Sequence, residues 1–260
     1  MRGHFFGCAL ALIALVSCNS IPSGSPHQEG LINEFLDGSF LRQELTQLSA
    51  QTAQASNTKV AKAGSEAEAK GLAFNREIEE ALRPETTVPL TQAYLRSQHT
   101  ETLEAILQWL RTPLAERMLV LSAQPFDYNG FNTYQVEKTG LRLDLIPRLD
   151  KATHTSEWQI EDTAQRAKVF QSLLEEKGKA AQSDGKLDPM IEHFVRTQSL
   201  RKLAFVYRTA SDLDLQQYID FLESTVGQSY IMIRRNALAA GHSKAQTVLA
   251  KLPTLVQSVK

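Results

Sequence analysis

Cysteine is almost missing from this chain. There are two in 260 residues, Cys8 and Cys18, both near the N-terminus. Everything after them lacks a thiol and a disulfide, so stability has to come from packing. An excess of one charge is missing too: the formal net charge of −1 excludes global attraction to nucleic acid or an anionic bilayer. Glycine and proline are modest, at 13 and 9. No alternating polar–apolar stretch persists, which argues against strands. There is no Gly-rich phosphate loop and no Gly-x-Ser-x-Gly elbow. The six histidines are scattered, with no two at the i,i+3 or i,i+4 spacing that a helix-borne metal site needs.

What is present is a helix-forming composition. Ala, Leu, Gln, Glu, Lys and Arg are plentiful, and 42% of residues are hydrophobic against 22% charged. Straight-chain residues lose little rotamer freedom in helices, and the hydrophobic share is enough for a core. The one long apolar run, FFGCALALIALV, spans residues 5–16 behind a short, weakly basic start. A dozen residues cannot cross a hydrocarbon core of about 30 Å as a lasting helix, but they suit the apolar centre of a secretory signal.

That run ends in Leu15-Val16-Ser17-Cys18, which resembles the lipobox of bacterial prolipoproteins. The resemblance implies cleavage recognition by Leu15, Val16 and Ser17, with residues 1–17 as signal peptide. It also implies a diacylglycerol thioether on Cys18 and acylation, palmitate for example, of the new amine. Two or three chains anchor stably where one binds marginally, at about 0.8 kcal/mol per buried CH₂. Asn19 follows the Cys where Asp would signal retention in the inner membrane. The implied location is therefore the periplasmic face of the bacterial outer membrane. Residues 18–30, rich in Ser, Pro and Gly, read as a flexible tether, and residues 31–260 read as a helical body.

Within the body, Leu103, Ile106, Leu107 and Leu110 fall on one helical face. Thr100 is the expected N-cap. Thr112-Pro113 then breaks the pattern, with Thr as cap and Pro at the first position of a new helix, which carries Leu114, Met118 and Leu121. The arrangement recurs 112 positions later. Asp212 takes the cap, Leu215, Tyr218, Ile219 and Leu222 the stripe, Ser224-Thr225 the break, and Val226, Tyr230 and Ile233 the second face. Trp109 matches Phe221, Ala115 matches Gly227, and Arg96 matches Arg208. This predicts an all-α, compact multi-helix bundle with two related kinked helix-pair units, possible pseudo-repeats over 31–140 and 141–260.

The two stretches LQWLRTPLAERM and IDFLESTVGQSY are similar to the core motif of the bacterial domain of unknown function 2059 family, whose members are small, helical and exported. The motif residues here are Trp109, Thr112, Pro113, Ala115, Phe221, Ser224 and Gly227. The first copy has Ala115 at the family's glycine, and the second has Thr225 at its proline. The resemblance implies no activity.

Other expectations follow from local patterns. Ile32, Phe35, Leu36, Leu41, Leu45 and Leu48 form a stripe interrupted at Gly38-Ser39, and 51–64 is a frayed helix or a connection. Ser65 opens a capping box, and a helix through Ile78 and Leu82 stops before Pro84. Asn129-Gly130 signals a turn among Phe126, Tyr128, Phe131 and Tyr134, rings expected to pack onto the helices. Leu141, Leu145 and Leu149 share a helix with Pro147 as its kink. Ala164, Ala167 and Phe170 give another stripe, and Asp188-Pro189 opens a helix through Ile191, Phe194, Val195 and Tyr207. A closing helix carries Val248, Leu249 and Leu252.

The basic pairs Arg201-Lys202 and Arg234-Arg235 read as solvated helix faces, as do the acidic pairs Glu79-Glu80 and Glu175-Glu176. No catalytic residue, metal ligand or cofactor is nominated, and no nucleic-acid partner. The leading expectation is a non-enzymatic interaction module, joined to the membrane through Cys18 and meeting an envelope protein. A lipid or small-molecule binding module and a cell-wall hydrolase are the alternatives.

Overall fold

The computed structural model describes residues 24–57, 66–135, 140–175 and 187–251. The signal and lipobox residues Leu15, Val16, Ser17 and Cys18, the Ser65 cap and Leu252 lie outside them. Among the described residues the fold is all-α, with thirteen helices and no strand. The first six are α1 (Pro26–Gly38), α2 (Leu41–Asn57), α3 (Glu66–Leu82), α4 (Pro84–Arg96), α5 (Thr100–Leu110) and α6 (Pro113–Ala123). A short α7 (Tyr128–Thr133) leads to α8 (Arg142–Thr153), α9 (Thr155–Glu175), α10 (Pro189–Val206), α11 (Asp212–Glu223), α12 (Thr225–Gly241) and α13 (Ser243–Leu249).

Several boundaries correct the sequence reading. The tether does not extend to Gly30. The Ser25 side chain accepts the Gln28 amide, Pro26 takes the first helical turn, and α1 is under way. Thr100 is the first residue of α5 rather than its cap, and His99 before it makes no side-chain cap. In the second unit Ser211, not Asp212, is the cap, accepting from Asp214 N. Asn129-Gly130 is not a turn: Asp127 caps the short α7 through Gly130 N and draws both residues into it. Ile191 and Phe194 are exposed on α10 because its start runs beyond the core, and Ala167 is exposed on α9, while the Phe170 side chain lies outside the described residues.

Duplication extends well past the motif. The set α1, α2, α4, α5, α6 is matched by α8, α9, α10, α11, α12. Within each set the first helix packs on its α5 or α11 counterpart, and also on the second and third helices. Across the sets, α5 packs on α12 as α6 packs on α11. Two backbone details agree. Phe40, between α1 and α2, has φ 57°, and His154, between α8 and α9, has φ 54°. They are the only non-glycine residues with positive φ among those described, and such angles are costly for L-residues. In the second unit the corner is held by Asp150, which accepts from both the amide and the hydroxyl of Ser156 at 2.8 Å.

One apolar core joins both sets. Leu107 and Ile219, the matched stripe residues, are both fully buried in it, with Phe35, Leu95, Leu103, Leu149 and Leu215. A smaller cluster of Ala81, Leu82, Ala245 and Val248 seals α3 against α13.

Candidate functional site: a cleft where the pseudo-symmetry fails

The repeat motif builds the centre of the molecule. Thr112 accepts from Ala115 N at 3.2 Å, and Ser224 accepts from Gly227 N at 3.1 Å, so both breaks are capped corners. Pro113 occupies the first turn of α6. Trp109 and Phe221, the matched aromatics, stack on each other with ring centroids 3.8 Å apart and parallel planes. Equivalent residues meet in this way only near a symmetry axis. Trp109, Thr112, Pro113, Ala115, Phe221, Ser224 and Gly227 thus come together as scaffold.

The functional feature lies beside them, where the two halves diverge. On one side α12 runs on to Gly241 and packs closely against α4. A Cβ at Gly241 would stand 2.4 Å from the Thr91 hydroxyl, and Thr87 and Thr91 are fully buried beneath it. On the other side, α6 ends at Ala123. Gln124 is extended because Pro125 follows and disfavours helical backbone before it. The shortened α6 makes no comparable packing on α10. A cleft of about 490 Å³ fills the space, between α2, α6, α9, the end of α10, and α12.

Three tyrosines form its inner wall: Tyr207, Tyr218 and Tyr230. All are buried, and burial pushes each phenol up, Tyr230 to about 12. They stay protonated, and two of the hydroxyls are linked: Tyr218 is hydrogen-bonded to Tyr207, which also meets the Ser122 hydroxyl. Arg234 enters from α12, bonded to Glu44 at 2.6 Å and to the Ser39 carbonyl at 3.4 Å. Burial alone would depress its guanidinium, but Glu44 and the phenols of Tyr230 and Tyr218 more than offset this. Lys202 stands at the rim over the Phe126 ring, and Trp158 and Phe40 give the walls aromatic faces. With two cations against Glu44, the only carboxylate in the lining, the cleft favours anionic or acceptor-rich groups.

Sequence reasoning missed this cleft, and its signal was present. At positions where the first copy has Ile106 and Met118, the second has Tyr218 and Tyr230. A hydroxyl inside an apolar stripe needs somewhere polar to point. Arg234, read as solvated helix-face charge, is partly buried in the cleft wall instead, while Lys202 is exposed as expected and stands at the cleft's rim. Among the described residues no three His, Cys, Asp or Glu side chains gather as a metal site, and no helix is long and apolar enough to cross a membrane. The predicted aromatic packing around residues 126–134 is present: Phe126, Phe131 and Tyr134 surround Phe205, each with centroids 5.4–5.6 Å away. Tyr128 remains exposed.

No protein-family model, curated protein or solved structure matches this chain.

Proposed function

We propose that this chain is a lipid-anchored bacterial envelope protein whose helical body is a non-catalytic binding module, with the tyrosine-lined cleft as its recognition site. The body is of the kind the domain of unknown function 2059 family has, held at the periplasmic face of the outer membrane by acyl chains on Cys18. The single observation supporting binding is the convergence of three protonated phenols, Arg234 and Lys202 on one 490 Å³ cleft. That volume lies in the range of small-ligand sites. A concave wall of linked hydroxyls flanked by Arg234 and Lys202 suits a compact anionic or hydroxyl-rich envelope component, or the acidic end of a partner protein, better than a flat protein face. The hydrolase alternative finds little support there. Two-carboxyl chemistry needs a pair, and the cleft's one carboxylate, Glu44, is already bound to Arg234.

Native mass spectrometry of the full chain released from membranes tests the binding reading. A co-purifying small molecule or partner, lost in the Tyr218→Phe/Arg234→Gln variant, is expected. A mass identical to that of the bare acylated chain in both proteins would overturn it. Anchoring is tested separately, by growing cells with an alkyne fatty acid. Label is expected on the wild-type chain and absent from Cys18→Ser, and an unlabelled wild-type chain would remove the anchor.

A further inference from the structure

The duplication provides an internal control for a second site. In the first unit the faces of α1 and α4 are bridged by polar groups. Arg96 binds Glu29 through two hydrogen bonds of 2.5 and 3.1 Å, Gln92 donates to Asn33 at 3.2 Å, and Gln28 donates to the Arg96 carbonyl. In the second unit the corresponding faces belong to α8 and α10. There Leu143 and Pro147 stand where Glu29 and Asn33 stand, and Ala204 stands in place of Gln92. The bridge is gone, and an apolar groove of about 300 Å³ takes its place, lined by Leu143, Ile146, Pro147, Leu200 and Ala204. The two helix pairs are matched, so the groove follows the change of side chains, Leu143, Pro147 and Ala204 in place of Glu29, Asn33 and Gln92.

We propose that this groove binds the single acyl chain of a fatty acid, with the Arg201 guanidinium facing its carboxylate. Two arginines border the groove, and their situations differ. Arg142 is committed to structure, held by the Asp212 carboxylate at 2.9 Å and by the carbonyls of Tyr207 and Ala210. Arg201 has no carboxylate partner among the described residues. Among the described residues its hydrogen bonds all run through Nη2, to the carbonyls of Phe131, Asn132 and Tyr134, while its Cζ lies 4.4 Å from the Phe131 ring centroid. Nε–H and Nη1 are left to pair with a carboxylate, for which the planar guanidinium is suited.

The apolar track also continues beyond the groove. Met190, Phe194, Thr197 and Arg201 share one face of α10 at i, i+4, i+7 and i+11. Met190 is 79% exposed and Phe194 62%. An extended chain seated by its head at Arg201 would cover them. A groove of about 300 Å³ has room for one chain rather than two, and Arg201 pairs with a free carboxylate but not with an ester, which favours a free monoacyl carboxylate over a diacyl phospholipid.

Photolabelling of the full chain in phosphatidylcholine vesicles tests this. One sample receives a diazirine-bearing palmitate, the other phosphatidylcholine carrying the same chain as an ester. Saturable labelling by the free acid is expected on peptides covering 142–148 and 197–204, with at least fivefold less from the ester. Arg201→Gln should lower labelling at least fivefold, and Ala204→Trp should abolish it. Leu143→Asp, at a half-exposed rim position that does not threaten folding, should lower it at least tenfold. Label scattered over the surface, equal labelling by the ester, or labelling unchanged in Leu143→Asp would each overturn the proposal. The central cleft takes no part in this readout, so the two sites succeed or fail separately.

Discussion

Single residues decide how the two copies differ. The two corners have equal length and the same closing bond, Thr112 N to Trp109 O and Ser224 N to Phe221 O, each 2.9 Å, but the second brings α12 closer to the end of α11. A Cβ at Gly227 would therefore fall 2.0 Å from the Phe221 carbonyl oxygen and 2.6 Å from Leu222 Cα. The looser first corner accepts the buried methyl of Ala115. Gly227→Ala is expected to cost about 3 kcal/mol through backbone displacement, and Ala115→Gly only about 1 kcal/mol from helix propensity. Urea unfolding of the two variants checks the order; equal losses would contradict it. His242 makes a second residue-scale case. Its Nε2 is buried without a partner, and burial lowers its pKa from 6.5, although Glu44 pulls the other way. The unfolded chain thus takes up this proton first, and stability is lost as pH falls below about 6.5. His154 has the opposite sign. The Glu157 hydrogen bond raises its pKa, so its contribution is present below 6.5 and lost as pH rises through the raised value. His242→Leu is expected to add about 1 kcal/mol by removing an unsatisfied group. It should also flatten the acid limb between pH 7 and 5, as read from urea midpoints.

At the scale of elements, the sequence was most informative where periodicity and caps coincide. Leu103 to Leu110 and Leu215 to Leu222 were legible as buried stripes because apolar residues at i, i+3, i+4 and i+7 leave a helix one way to face. Thr112-Pro113 and Asp188-Pro189 were legible because cap and proline agree. The cleft was not legible, because it depends on what α6 fails to touch, and no local pattern records an absent neighbour. The wider duplication was hidden too, because the matched helices α1 and α8 keep the packing and change the chemistry. Arg111 binds Glu34 at 2.6 and 2.8 Å, and in the matched place Arg148 binds Glu223 at 2.6 and 3.2 Å, with the charges exchanged between helices. Alignment by residue type scores such a swap as a mismatch, although the geometry is conserved. The swap can be repeated by mutation. Glu34→Arg alone should lower the urea midpoint slightly by facing Arg111, and adding Arg111→Glu should bring it back to the wild-type value. A double variant as weak as the single would mean that the two interfaces are not equivalent.

For the whole molecule, the question is whether duplicated units behave as two domains or one. The core answers physically: Trp109 from one unit lies against Tyr218, Phe221 and Tyr230 of the other. α12 is the longest helix of its unit to cross over, reaching α4 and α2 as well as α5. Neither unit could keep its inner face buried alone, so the cooperative body is the pair. By contrast, the α3–α13 cluster has, among the described residues, four buried members, Ala81, Leu82, Ala245 and Val248, and they stand apart from the main core. Local opening follows few buried contacts. Hydrogen exchange is therefore expected to show α3 and α13 opening at lower free energy than the rest, while α5 and α11 exchange together at the highest. Mutations in either unit, Leu107→Ala or Ile219→Ala, should each lower the protection of both helices by the same 2–5 kcal/mol that burial of such side chains predicts. If Leu107→Ala lowered protection in α5 and left α11 unchanged, the units would be separate bodies. The shared cleft would then have to open and close with their relative motion instead of standing preformed on a common core.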